Sequence, residues 1–82
     1  MNYIEPVREF VVENFLFGDS GRLSEDTSFL KSGVLDSTGV LELIGYLEEA
    51  FGITVEDDEV IPENLDSLRN VSNFVESKLN GK

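Results

Sequence analysis

Three stretches of the chain repeat apolar residues at the three- and four-residue spacing of an amphipathic helix. The first stretch places four apolar residues on one face: Ile4, Val7, Val11 and Phe15. Asn2 and Glu5 have the spacing of a loose capping box, and Pro6 is tolerated in a first helical turn because its missing N–H is not needed there. We expect this helix to run to about Phe17 and to stop at Gly18.

The second stretch is the best-defined element of the chain. Asp36 or Ser37 can supply the oxygen of an N-cap, and Gly52 supplies a C-terminal stop, so the pattern predicts a helix from one of these two residues to Phe51. Its predicted buried stripe consists of Val40, Ile44, Leu47 and Phe51, broadened by Leu41 and Leu43. Three acidic residues lie off that stripe: Glu42, Glu48 and Glu49.

The third stretch begins after Asp66 or Ser67, either of which can cap a helix, and ends before Gly81. Its apolar positions are Leu68, Val71, Phe74, Val75 and Leu79. Pro62 breaks any continuous helix before it, so residues 57–65 can hold at most a turn or two, in separate short pieces. The only strand-like segment is the sequence GITV at residues 52–55.

The connection over residues 19–36 is long for so small a domain, which favours an ordered loop packed by its own side chains. Its apolar anchors are Leu23, Phe29, Leu30, Val34 and Leu35. The length of the chain predicts a single domain over residues 1–82. The helix pattern predicts an all-α bundle of three longer helices plus one short helix.

The 82-residue chain contains no cysteine, which excludes disulfides and thiolate metal sites. No apolar run is long enough to cross a membrane, so we expect a cytoplasmic protein. With 17 acidic and 6 basic residues the formal net charge is −11, which disfavours nucleic acid and anionic membranes and favours basic protein partners. No basic residue lies between Lys31 and Arg69. The alternative for such a run is a solvated face that keeps the protein in solution.

Ser37 cannot be a self-sufficient nucleophile. A catalytic serine needs a base within hydrogen-bonding reach, yet the chain has no histidine and lacks a G-x-S-x-G elbow. The alternative from local sequence is that Ser37 only caps a helix. The sequence EDDE at residues 56–59 lacks the ligand spacing of a calcium loop and predicts at most weak, incidental calcium binding.

The stretch SGVLDSTGVLELIGYLEEAFG resembles the modification-site region of acyl carrier and peptidyl carrier proteins. In that family an Asp-Ser pair opens the second helix, a Glu-Leu pair follows, and an acidic, apolar helix ends at a phenylalanine. The matching residues here are Asp36, Ser37, Glu42, Leu43, Glu48, Glu49 and Phe51. The size, charge and order of helices extend the resemblance over nearly the whole chain.

The resemblance implies that Ser37 receives a covalent 4′-phosphopantetheine from coenzyme A, transferred by a separate, Mg²⁺-dependent phosphopantetheinyl transferase. The arm would carry an acyl or aminoacyl group as a thioester between enzymes, and the chain itself would be a non-catalytic carrier, expected to be monomeric. A loading ligase and downstream acyl-transferring enzymes would dock through basic patches. The residues expected to recognise these partners are Asp36, Thr38, Glu42, Glu49, Asp57, Asp58 and Glu59.

Apolar residues of the second and third long helices are expected to form the core, and some of them could also line a space for an acyl chain. They are Val40, Ile44, Leu47, Phe51, Val71, Phe74 and Val75.

Two positions depart from the family pattern. Thr38 stands where leucine is most frequent, and Gly39 stands where fatty-acid carriers often have an acidic residue. These departures favour a stand-alone carrier of a specialised pathway, then an aminoacyl carrier loaded by an adenylating ligase, then a fatty-acid carrier. Two other hypotheses are an unmodified acidic helical adaptor and a domain cut from a multidomain synthase, which the initial methionine disfavours.

Overall fold

The computed structural model describes residues 3–16, 18, 21 and 23–81, and these form five α-helices and one 3-10 turn. The helices are α1 (Ile4–Phe15), α2 (Phe29–Ser32), α3 (Ser37–Phe51), α4 (Pro62–Leu65) and α5 (Leu68–Asn80), and the 3-10 turn is Asp57–Glu59. The all-α prediction is confirmed, with α1, α3 and α5 as the three longer helices. Within the described ranges there is no strand, and residues 52–55 are an extended connection.

One core joins the three long helices. α5 packs against both α1 and α4, and α1 also packs against α3. The largest fully buried side chains are Phe29, Leu43, Leu47, Leu68, Val7, Val11, Val71 and Val75. Full burial of such a side chain stabilises the fold by about 1.5–3 kcal/mol, so this shared core is what holds α3 in place.

α1 is slightly shorter than its pattern predicts. It begins at Ile4 with Tyr3 as N-cap and ends at Phe15. The backbone N–H of Gly18 donates to the carbonyl of Val12 at 3.0 Å, and Gly18 has a φ of +87°, a conformation that glycine adopts without steric cost. The predicted cap at Asn2 and the predicted end near Phe17 lie outside the described residues.

The described part of the loop before α3, residues 23–36, contains the four-residue α2, which the sequence pattern does not reveal. Ser28 caps α2 by accepting from the N–H of Lys31. The carboxylate of Asp66 accepts a hydrogen bond from the Ser28 hydroxyl and another from the N–H of Leu30 at 3.0 Å. Four of the five predicted anchors are buried, whereas Leu30 is 49% exposed. The anchoring predicted for Leu30 is therefore wrong.

A second long-range contact fixes the same loop. Arg69 on α5 binds Asp26 with 2.7 Å between Nε and Oδ1, and its Nη2 lies 3.0 Å from Oε1 of Glu25. Ser67, one of the two predicted candidates, caps α5 by accepting from the N–H of Asn70. Asp66, the other candidate, does not cap α5; its carboxylate instead accepts hydrogen bonds at the start of α2.

Candidate functional site

The start of α3 is fixed by Asp36. Its backbone is extended, its Oδ1 accepts a hydrogen bond from the N–H of Gly39 at 2.8 Å, and its carbonyl accepts from Val40 at 2.9 Å. Of the two residues that could cap this helix, Asp36 therefore does so. Ser37 becomes the first residue of the helix proper.

Ser37 is exposed, and its hydroxyl makes no hydrogen bond to any described residue. The hypothesis that Ser37 only caps the helix is wrong, because the capping oxygen belongs to Asp36. What the fold presents at this position is an unengaged hydroxyl at the amino end of a fifteen-residue helix. Such a group can accept a substituent without breaking a hydrogen bond of the fold.

The surroundings of Ser37 suit a phosphate ester. The first N–H groups of α3 have no partner within the helix, and with the helix dipole they favour an anion by about 0.3–1 kcal/mol at an exposed site. The negative charge of the Asp36 carboxylate disfavours a second anion beside it, but this carboxylate already accepts a hydrogen bond from the N–H of Gly39. Because Ser37 is exposed, water screens the remaining repulsion.

An apolar groove opens on the side of α3 where Val40 lies, one turn after Ser37. It has a volume of about 90 Å³, and Leu30, Ile61 and Leu65 are among its walls. The groove is open to solvent and its lining is almost entirely apolar. Among the seven residues predicted to form the core or line a cargo space, Val40 alone lines this groove.

The apolar stripe of α3 faces the core differently from its predicted arrangement. Gly39, Leu43 and Leu47 are the buried residues of this helix, whereas Leu41 is 66% exposed. The burial predicted for Leu41 is therefore wrong. The buried face of α3 includes Gly39, and a glycine cannot be recognised as a core position from a pattern of apolar side chains. Leu41 is one turn beyond Ser37 and adds an exposed apolar contact beside the site.

Most residues predicted to recognise partners lie on the surface. Six of them are exposed: Asp36, Thr38, Glu42, Glu49, Asp57 and Asp58. Glu59 differs, because its Oε1 accepts from the N–H of Glu56 at 2.9 Å and from Nζ of Lys78 at 2.8 Å. These two hydrogen bonds, the backbone one first, hold the pKa of Glu59 below its usual value. The Glu59 carboxylate thus ties the 3-10 turn to α5.

The EDDE run is a structural motif in the fold. Glu56 and Glu59 form a reciprocal capping box around the 3-10 turn, which accounts for their spacing. Across the described ranges, no group of three or more Asp or Glu side chains is arranged to hold a metal ion. Nor does this part of the chain contain a helix with the length and apolarity of a membrane span.

The chain matches a family model over residues 12–75, and the family is described as the phosphopantetheine attachment site. The chain therefore belongs to the phosphopantetheine-attachment family. The matched segment includes the start of α3, where the exposed Ser37 hydroxyl lies.

The relatives narrow the class to acyl carrier proteins. The chain is 33% identical to the acyl carrier protein of Petrotoga mobilis, with 93% of this chain and 86% of the relative covered. It is 34% identical to that of Campylobacter hominis, with 94% of each chain covered. The solution NMR structure of a holo acyl carrier protein from Nitrosomonas europaea superposes with a TM-score of 0.79 at 32% identity, covering 98% of this chain and 99% of the other.

These matches confirm the resemblance drawn from the sequence. They also confirm the expected cofactor, the covalently attached 4′-phosphopantetheine of the family. Members of the acyl carrier family are carriers rather than catalysts, and they interact with a phosphopantetheinyl transferase and with acyl-handling enzymes.

Proposed function

We propose that Ser37 carries the 4′-phosphopantetheine arm and that the protein delivers acyl groups of a specialised pathway to partner enzymes. One observation carries the assignment: Asp36 caps α3, which leaves the Ser37 hydroxyl exposed and unengaged at the helix start. When bound, the arm supplies a thiol that holds the acyl group as a thioester. The protein contributes the attachment point and the surface that partners recognise.

Nearby hydroxyl groups support the choice of Ser37. Ser28 donates to Asp66, and the Ser32 hydroxyl donates to a backbone carbonyl at 2.6 Å. Ser24 shares a hydrogen bond with Thr27 at 2.7 Å. Modification of any of these would remove a bond that holds the loop before α3, whereas modification of Ser37 removes none.

The transfer requires an external enzyme, because no histidine is present to deprotonate Ser37. In the proposed reaction, Ser37 Oγ bonds to the phosphorus that carries the pantetheine arm. The bond from that phosphorus to the second phosphate of the coenzyme A diphosphate breaks, and the serine proton passes to a base of the transferase. A cytoplasmic location remains part of the proposal, since the reaction consumes coenzyme A.

The case for a specialised pathway rests on Thr38, which stands where leucine is most frequent in the family. A Cβ at Gly39 would lie 3.1 Å from Cδ2 of Leu35 and 3.2 Å from Cε1 of Phe15, so packing already accounts for that glycine. Its departure from the family pattern therefore says little about the pathway.

Intact-protein mass spectrometry tests the assignment. The protein is incubated with coenzyme A, Mg²⁺ and a broad-specificity phosphopantetheinyl transferase. We expect one phosphopantetheine adduct on the parent chain, none on Ser37→Ala, and one on Thr54→Val, a control that removes an exposed hydroxyl beyond the other end of α3. An adduct that persists on Ser37→Ala would refute the choice of residue. No adduct on the parent with several active transferases would favour the unmodified adaptor.

A further inference from the structure

Lys31 differs from the other basic side chains of the described ranges, because it forms no ion pair with a described residue. Arg8, Arg69 and Lys78 each lie between 2.7 and 3.9 Å from a carboxylate oxygen. Lys31 is exposed on α2 and has no such neighbour among the described acidic residues. In a chain with 17 acidic and 6 basic residues, an ammonium group without a carboxylate partner needs an explanation of its own.

The backbone that carries Lys31 is held in place. Lys31 is the third residue of α2, and the first residue of this helix, Phe29, is fully buried. The N–H of Phe29 donates to the carbonyl of Asp66 at 2.7 Å, and the N–H of Lys31 donates to the hydroxyl of Ser28 at 3.1 Å. If Lys31 binds a group, the entropy cost on the protein is therefore that of ordering one side chain.

α2 lies beside the start of α3. The N–H of Leu35 donates to the carbonyl of Phe29 at 3.2 Å, so the chain folds back on α2 two residues before Ser37. Leu30, the neighbour of Lys31, lines the apolar groove that α3 borders. Lys31 is also the basic residue nearest to Ser37 along the chain. The fold thus places an unpaired cation on the element next to the proposed attachment point.

A phosphodiester at Ser37 would carry a negative charge close to a carboxylate. Asp36 precedes Ser37, and its Oδ1 accepts a single hydrogen bond from a backbone N–H at 2.8 Å. α3 itself has no basic residue that could offset the repulsion between the two anions. A cation from a neighbouring element can do so, and on α2 that cation is Lys31.

We propose that the Lys31 ammonium binds the phosphodiester that joins the phosphopantetheine arm to Ser37. An ammonium group offers three donors to the phosphate oxygens, and its flexible four-carbon stem lets it reach them without movement of α2. Charge-assisted hydrogen bonds of this kind are stronger than neutral ones. The contact would hold the first part of the arm on the side of α3 that faces α2. The proposal rests on the proposed attachment at Ser37.

Thermal unfolding of each chain before and after transfer of the arm tests the proposal. The measured quantity is the change in Tm on modification, compared between the parent and Lys31→Gln. At low salt this change should be more favourable in the parent by about 1–8 °C, the range expected for one exposed ion pair in a domain of this size. The difference should disappear at about 1 M NaCl, where charges are screened beyond roughly 3 Å.

Two further variants separate a specific contact from net charge. Lys31→Arg keeps the cation and should behave as the parent. Lys31→Gln combined with Asn73→Lys restores the net charge with a cation at an exposed position of α5, and it should behave as Lys31→Gln. The ³¹P resonance of the attached phosphodiester gives a direct readout. It should differ between the parent and Lys31→Gln, and it should be the same in Lys31→Gln and the double variant.

Intact mass, measured on every chain first, separates the possible failures. Equal changes in Tm and equal ³¹P shifts in the modified parent and modified Lys31→Gln would overturn the pairing and leave the Ser37 assignment standing. Parental values in the double variant would overturn it too, because net charge would then suffice. An adduct on the parent but not on Lys31→Gln would assign Lys31 to recognition of the transferase instead. No adduct on the parent would refute the attachment at Ser37 and the pairing together.

Discussion

Replacement of Asp36 separates the two roles that this residue combines, helix capping and negative charge beside Ser37. Asp36→Ala removes the oxygen that accepts from the N–H of Gly39 at 2.8 Å, and it also removes the charge. Asp36→Asn keeps an acceptor in the same position, because asparagine caps helices about as well as aspartate. The two variants therefore differ in the capping hydrogen bond and share the loss of charge.

The expected magnitudes follow from that difference. Loss of an N-cap costs about 0.5–2 kcal/mol, and Gly39 is buried, so water replaces the lost acceptor poorly and the cost lies toward the upper half of that range. Loss of the charge at the helix start adds about 0.3–1 kcal/mol in both variants. At about 4–8 °C per kcal/mol for a domain of this size, Asp36→Ala should lower Tm roughly three to five times as much as Asp36→Asn.

Thermal unfolding followed by circular dichroism measures this comparison on the unmodified chains. A second melt after transfer of the arm gives the effect of the phosphodiester. Its negative charge should be tolerated better in Asp36→Asn than in the parent, because the neighbouring carboxylate is gone. If Asp36→Asn melts as low as Asp36→Ala, charge and not capping fixes the start of α3. If both variants have the same Tm as the parent, neither the capping hydrogen bond nor the charge of Asp36 stabilises the fold.

Three further predictions concern the rest of the fold. A backbone N–H and the Lys78 ammonium hold the pKa of Glu59 below 4.5, so its stabilising contribution is complete above that pH and is lost as the pH falls through the lowered value. The Tm difference between the parent and Glu59→Gln should therefore shrink on acidification. Phe29→Ala, at a fully buried position, should cost about 3–5 kcal/mol and sharply lower the midpoint of urea unfolding. Gly45→Ala should raise the free energy of unfolding by about 0.5–1 kcal/mol in the same assay, because a Cβ at position 45 has open space around it. Gly39→Ala should give no such gain, because its Cβ would lie 3.1 Å from a side-chain atom of Leu35 and 3.2 Å from one of Phe15.

The long helices could be predicted because their signals are local. Gly52 has the left-handed backbone that its position after α3 suggested, with a φ of 67°, and Ser67 is one of the two residues proposed to cap α5. The cap of α3 could not be assigned from sequence, since both Asp36 and Ser37 carry a suitable oxygen. Only the extended backbone of Asp36 decides between them.

Features that depend on distant partners could not be predicted in the same way. α2 has four residues, too few to show a period, and it is held by Asp66, which follows Ser28 by 38 residues. The stack of Phe10 on Tyr46 likewise joins two helices whose contact no local pattern specifies. The choice of Ser37 came from a family resemblance, and geometry then supplied the physical reason why this hydroxyl is unengaged.

The ion pairs of the described residues involve three of the basic side chains and leave other carboxylates without a basic partner. Arg69 binds Asp26, Lys78 binds Glu59, and Arg8 lies 3.9 Å from Glu25. All three cations stand on α1 or α5, and in the described ranges none pairs with a carboxylate of α3. An exposed pair such as Arg69–Asp26 contributes little to stability, about 0–1 kcal/mol. We expect the association of a basic partner with α3, whose carboxylates form no ion pair in this part of the chain, to weaken as the salt concentration is raised.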